Sequence, residues 1–117
     1  MMSNYEETLN QIQGFVDDYN NTGDRIASIY ESIDTKLLEC AKIEEAKKLN
    51  HRFQNEFNKN KVIQKRLRLS DAANEYSEML ELMRSLQRRC EHSHKIEEDL
   101  KNKESEIADY LNELLNK

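Results

Sequence analysis

Residues 72–114 read AANEYSEMLELMRSLQRRCEHSHKIEEDLKNKESEIADYLNEL, and their apolar side chains recur at alternating steps of four and three. The positions so selected are Ala72, Tyr76, Met79, Met83, Leu86, Cys90, Ser93, Glu97, Leu100, Glu104, Ile107, Leu111 and Leu114. Ten of these thirteen are apolar, where a chain that is 37% hydrophobic would place roughly 5 by chance, so the spacing is that of a helix seam. Setting Tyr76, Met83, Cys90, Glu97, Glu104 and Leu111 at position a leaves the outward positions, from Asn74 and Ser77 to Glu113 and Asn116, entirely polar, which supports the same register.

The flanks of this seam are not those of a two-stranded zipper. Ala73, Leu80, Leu82, Ile96, Ala108, Tyr110 and Leu115 stand where charged residues would be expected, so the apolar stripe is wide. Such width calls for more than one neighbouring helix, and a three- or four-helix bundle, within one chain or between chains, is favoured. One helix from Asp71 to Asn116, about 46 residues, would span roughly 69 Å. Ser93, Glu97 and Glu104 interrupt its core positions. An unpaired buried carboxylate costs several kcal/mol, so two readings stand: the helices splay here and the glutamates stay solvated, which is the plainer one, or a cation from another helix meets them in a partner-specifying layer.

Upstream, Ser3 and Glu6 match a capping box ahead of a first helix striped by Tyr5, Leu9, Ile12, Phe15 with Val16, and Tyr19. Asn20, Asn21, Thr22, Gly23 and Asp24 combine residues that tolerate a left-handed backbone with an N-cap type, and a chain reversal is expected there. A second helix carries Ile26, Ile29 with Tyr30, Ile33, Leu37, Cys40, Ile43, Ala46, Leu49, Phe53 and Phe57. Three successive steps of three overwind its stripe, so regular supercoiling should fail near Ile43 to Leu49. The stripe fades over Asn58, Lys59, Asn60 and Lys61, which is either a connection or an exposed stretch of continuous helix. Ser70 and Asp71, both N-cap types, mark a second candidate break. The expected organisation is therefore all-α and elongated: a helical hairpin over 1–69 whose short N-terminal helix packs on the second, with a basic junction at 58–70, and a long C-terminal coiled-coil helix over 70–117.

Composition narrows the class further. Of 117 residues 35% are charged, Pro and Trp are absent, and Gly14 and Gly23 are the only glycines, which argues against the loop-rich doubly wound and all-β folds. No apolar run approaches the roughly 20 residues of a membrane span, and the first residues lack a basic end followed by an apolar core. A soluble, intracellular protein, cytoplasmic or nuclear, is expected. Two cysteines are too few for a disulfide framework, so Cys40 and Cys90 read as reduced apolar fillers; the alternative is a bridge between two chains through Cys90.

Chemistry finds little footing. Cys90, His92 and His94 are the one cluster of soft ligands, but His92 points away from the face that Cys90 and His94 share, so no metal site is expected. No phosphate loop, nucleophile elbow or zinc motif occurs, so neither an enzyme nor a cofactor is expected.

The net charge of −5 is unevenly spread. Residues 1–24 hold five acids and no Lys or Arg, whereas 58–70 hold Lys59, Lys61, Lys65, Arg66 and Arg68 and no acid. Those five bases read either as a merely solvated junction or as a docking candidate for an acidic protein surface; nucleic acid or an anionic membrane is a lesser alternative, since the chain is acidic as a whole and no recognition motif or interleaved aromatics accompany the bases. The functional expectation is a structural or adaptor subunit that assembles a larger complex by helix pairing through Tyr76, Met79, Met83, Leu86, Cys90, Leu100, Ile107, Leu111 and Leu114. The alternative is a monomeric three-helix module that recruits an acidic partner through 58–70. Both readings call for protein partners and no small-molecule substrate.

Overall fold

The computed structural model describes residues 4–40, 42–60, 66–76 and 78–116. They form four helices: α1 (Asn4–Glu39), α2 (Glu44–Asn60), α3 (Leu69–Glu75) and α4 (Met79–Leu115). The all-α, elongated bundle with a long C-terminal helix is as the periodicity predicts, and its principal dimensions are 65 × 24 × 16 Å. At 1.5 Å per residue α1 and α4 are each about 55 Å long, so these two rods set the length of the molecule.

The first helix is not short. The reversal expected at Asn20–Asp24 is absent, and α1 runs through it without a break or a positive φ. The reason is a heptad that crosses the segment intact: Tyr5, Ile12, Tyr19, Ile26, Ile33 and Cys40 recur every seven residues, as do Leu9, Val16, Gly23, Tyr30 and Leu37. The polar residues that look like turn formers make tertiary contacts instead. Thr22 is fully buried. The Asn20 side chain accepts from the Leu67 amide at 2.7 Å and donates to the Leu67 carbonyl at 3.0 Å. Asp24 lies 3.5 Å from Arg66.

The chain reverses at Cys40–Ile43, just ahead of the overwound stretch at Ile43–Leu49. There the Cys40 amide donates to the Leu37 carbonyl and the Ile43 amide to the Cys40 carbonyl. Helix α2 then descends beside the upper half of α1, with Asn50 and Gln54 both donating to Asp34 and Phe57 against Tyr30. Residues 58–60 continue α2 as helix. Lys61 and Lys65 lie outside the described residues, as does Ser3 of the expected capping box.

The single helix expected over Asp71–Asn116 is also interrupted. Tyr76 and Glu78 are extended, dividing it into α3 and α4, and Ser70 and Asp71 fall in the first turn of α3, whose N-cap is Arg68. Packing explains the break. Ala72 of α3 and Leu82 and Leu86 of α4 all bury against Ile12 and Val16, and two segments reach the same stretch of α1 only if the chain turns back between them. The Tyr76 hydroxyl and Ser85 Oγ, 2.6 Å apart, pin the corner. The result is an up-down-up bundle: α1 ascends, α2 and α3 share the descending leg, and α4 ascends parallel to α1, as the pairs Phe15 with Cys90, Arg25 with Glu97 and Lys36 with Glu104 record.

The core has two parts. The lower surrounds Ile12, Val16, Ala72, Leu82 and Leu86. The upper joins Ile26, Tyr30, Ile33 and Leu37 of α1 to Ala46 and Phe53 of α2 and to Leu100, Ile107 and Leu111 of α4. Between them lies a polar layer around Thr22, Arg25 and Glu97.

Candidate interaction surfaces

The polar layer is where the seam of α4 appeared weakest. Glu97 is buried, yet it is neither solvated nor unpaired. Arg25 of α1 grips its carboxylate with two guanidinium nitrogens, Nε to Oε2 at 2.6 Å and Nη2 to Oε1 at 3.3 Å, and Nη2 also donates to Thr22. Lys101 stands 3.9 Å away on the next turn. The hydrogen bond from Arg25 holds the Glu97 carboxyl below the usual carboxylate range against the opposing effect of burial. Glu104 likewise meets Lys36 at 3.3 Å. The helices therefore do not splay from Ser93 to Glu104: cations on α1 of the same chain fill the layer.

His94 belongs to this layer. Its Nε2 lies 2.9 Å from Asp18 Oδ2 and its Nδ1 3.8 Å from Glu97 Oε1. Cys90 is buried and its thiol donates to the Phe15 carbonyl at 3.2 Å, which turns it into the bundle and away from any second chain. Burial, with Asp18 nearby, pushes this thiol up to about 11. Cys40 and Cys90 are both free. Cys90 and His94 are drawn to different partners, and among the described residues no three His, Cys, Asp or Glu side chains are grouped to hold a metal ion.

The nine helix-pairing candidates are all occupied within the chain. Tyr76, Met79 and Met83 pack half-buried on the lower core, and Leu86 lies inside it. Cys90 faces α1; Leu100, Ile107 and Leu111 are buried in the upper core, with Leu114 packed on its edge. The partner of the α4 seam is α1. What remains open are its flanks: Leu80 is 55% exposed, Tyr110 37% and Leu115 62%.

Of the docking candidates, Lys59, Arg66 and Arg68 are exposed, Arg66 facing Asp24 across the surface. The fold enlarges this set. Lys47, Lys48, His51 and Arg52 share the outward face of α2 with Lys59, one to two turns apart along the same descending leg. Residues 47–70 hold eight Lys and Arg and one acid, Glu56, a net +7 that leaves −12 on the rest of the chain. That extension was readable as a charge run continuing upstream of 58, hidden because residues 25–57 taken together hold six Lys and Arg and six acids.

Among the described residues no helix is long and apolar enough to cross a membrane. Comparison with protein-family models, with curated proteins and with solved structures found no match.

Proposed function

We propose that the chain is a non-enzymatic, intracellular adaptor: a three-helix bundle that recruits an acidic protein surface through its descending leg. The observation that carries this reading is the segregation of charge, +7 over residues 47–70 against −12 elsewhere, with every described base of the leg exposed. A long basic edge speeds encounter with an anionic surface. The experiment is affinity purification with quantitative mass spectrometry, comparing the native chain with a Lys59→Glu, Arg66→Glu, Arg68→Glu variant at about 50 and 300 mM salt. Acidic partners should be retained by the native chain at low salt and lost in the variant and at high salt. Partners that survive both changes defeat the reading.

Assembly of a larger complex by helix pairing is the second reading, favoured by the half-exposed leucines Leu80 and Leu115 beside the α4 seam. Light scattering of the native chain and of a Leu80→Asp, Leu115→Asp variant tests it; an identical monomer mass for both counts against it. Leu86→Asp is not a clean probe of assembly, because Leu86 is 1% exposed and its loss would unfold the bundle.

A further inference from the structure

Helices α2 and α4 both pack on α1 and share its upper core, but their backbones make no approach to each other comparable to the one each makes to α1. A groove is left between them. Two adjoining depressions mark it: one of about 300 Å³ lined by Leu49, Glu106, Ile107 and Tyr110, and one of about 230 Å³ floored by Tyr30, Ile96 and Leu100. Along α4 the groove runs from Ile96 to Tyr110, roughly 21 Å at 1.5 Å per residue, the length of a helix of about 14 residues. Its α4 edge carries Ile96 and Tyr110 from the apolar flank of the seam, with Lys103 between them.

We infer that this groove binds an amphipathic helix of a partner protein, apolar on the face it buries and carrying Lys or Arg along its edges, as a fourth helix of the bundle. The charge of the rim selects that chemistry. On the α4 side Asp99 and Glu106 are exposed, and among the described residues neither forms an ion pair. On the α2 side Glu56 lies 3.8 Å from Arg52 and 3.9 Å from Lys103, so the rim holds three acids, Asp99, Glu106 and Glu56, against two bases. The contact between Glu56 and Lys103 spans the groove, and at that length, with Lys103 44% exposed, it parts readily for an entering helix. Apolar anchors at helical spacing provide the affinity in this mode of recognition, and the rim charges set orientation. The site adjoins the basic outward face of α2 at Arg52 and Glu56, but its apolar floor lies on the other side of that helix edge.

The test uses a 14-residue peptide of leucine and lysine with leucines on one helical face, its scrambled isomer of equal charge, and the full chain. Fluorescence anisotropy should give at least tenfold tighter binding of the amphipathic peptide than of the scrambled one. Tyr110→Asp and Glu106→Lys, both at exposed positions that leave helix content unchanged by circular dichroism, should each weaken binding about tenfold. Leu80→Asp, on another face, and the Lys59→Glu, Arg66→Glu, Arg68→Glu variant should bind as the native chain does. Equal binding of the two peptides, or binding indifferent to Tyr110→Asp and Glu106→Lys, would overturn the inference by reducing it to charge attraction. So would a native dimer that Tyr110→Asp disperses, which would make a second copy the occupant.

Discussion

Arg25 and Glu97 stand 72 positions apart in the chain and 2.6 Å apart between Nε and Oε2, and their pairing closes the polar layer between α1 and α4. Glu97 is buried while the Arg25 side chain is 48% exposed, so the two ends of the bond are unequal. Removing the arginine strands a carboxylate inside the bundle; removing the glutamate frees a cation that water already reaches. Arg25→Ala should therefore cost about 2 kcal/mol, less than a fully buried pair because of that access, and Arg25→Lys should recover only part, since a single ammonium cannot span both carboxylate oxygens. Urea denaturation of the three proteins measures it.

The same pair predicts the acid limb of the stability curve. Because Arg25 holds Glu97 below the usual carboxylate range, the folded protein takes up this proton at lower pH than the unfolded chain does. The stabilisation is complete above the unfolded carboxyl's value, about 4.3, and is lost as pH falls through the lower folded value. Glu97→Gln should be less stable than the native protein near pH 7, and the gap should close below about pH 4. A gap that is constant from pH 7 to pH 3 would contradict the linkage.

Asn20 fastens the chain entering α3 to the middle of α1 by two hydrogen bonds to the backbone of Leu67. Asn20→Ala should cost about 1–2 kcal/mol. Hydrogen exchange provides the local readout: the Leu67 amide, which donates to Asn20 Oδ1 at 2.7 Å, should lose protection selectively.

Gly14 sits on an exposed face within α1, and a Cβ placed there meets nothing within 4 Å. Gly14→Ala should stabilise the protein by up to about 1 kcal/mol through helix propensity and a less disordered unfolded chain. A raised melting temperature checks it.

Thiol chemistry should separate the two cysteines. Cys90, buried and pushed up to about 11, is almost wholly protonated at pH 8, whereas Cys40 lies half-buried in the turn after α1. An aromatic disulfide reagent should label Cys40 promptly and Cys90 only on unfolding.

The class of the fold was legible because the seam from Ala72 to Leu114 has a wide apolar stripe and polar outward positions, and a wide stripe on so polar a chain has to meet helices. The continuity of α1 was legible too, in the seven-residue recurrence through Gly23; turn-forming residue types at Asn20–Asp24 outweighed it because local propensity does not reveal that Asn20 and Thr22 are engaged by other elements. The corner at Tyr76–Glu78 left no mark. Ala72, Tyr76 and Met79 keep helical spacing across it, since both sides of the corner face the same patch of α1. The polar layer was visible as Ser93, Glu97 and Glu104, but its resolution was not, because Arg25 and Lys36 read as ordinary surface cations until α1 lies beside α4.

The parallel course of α1 and α4 bears on how the molecule is made. The residues that bury the apolar edge of α1 lie about 70 positions downstream of it, so at roughly 5–20 residues per second some 4–14 s of translation separate that edge from its cover. During that interval the nascent N-terminal half is a long helix precursor half-sheathed by α2 alone, the kind of surface that holding chaperones grasp. Completion waits for the final turns to leave the ribosome, which makes synthesis of the C-terminal rod the gate on folding.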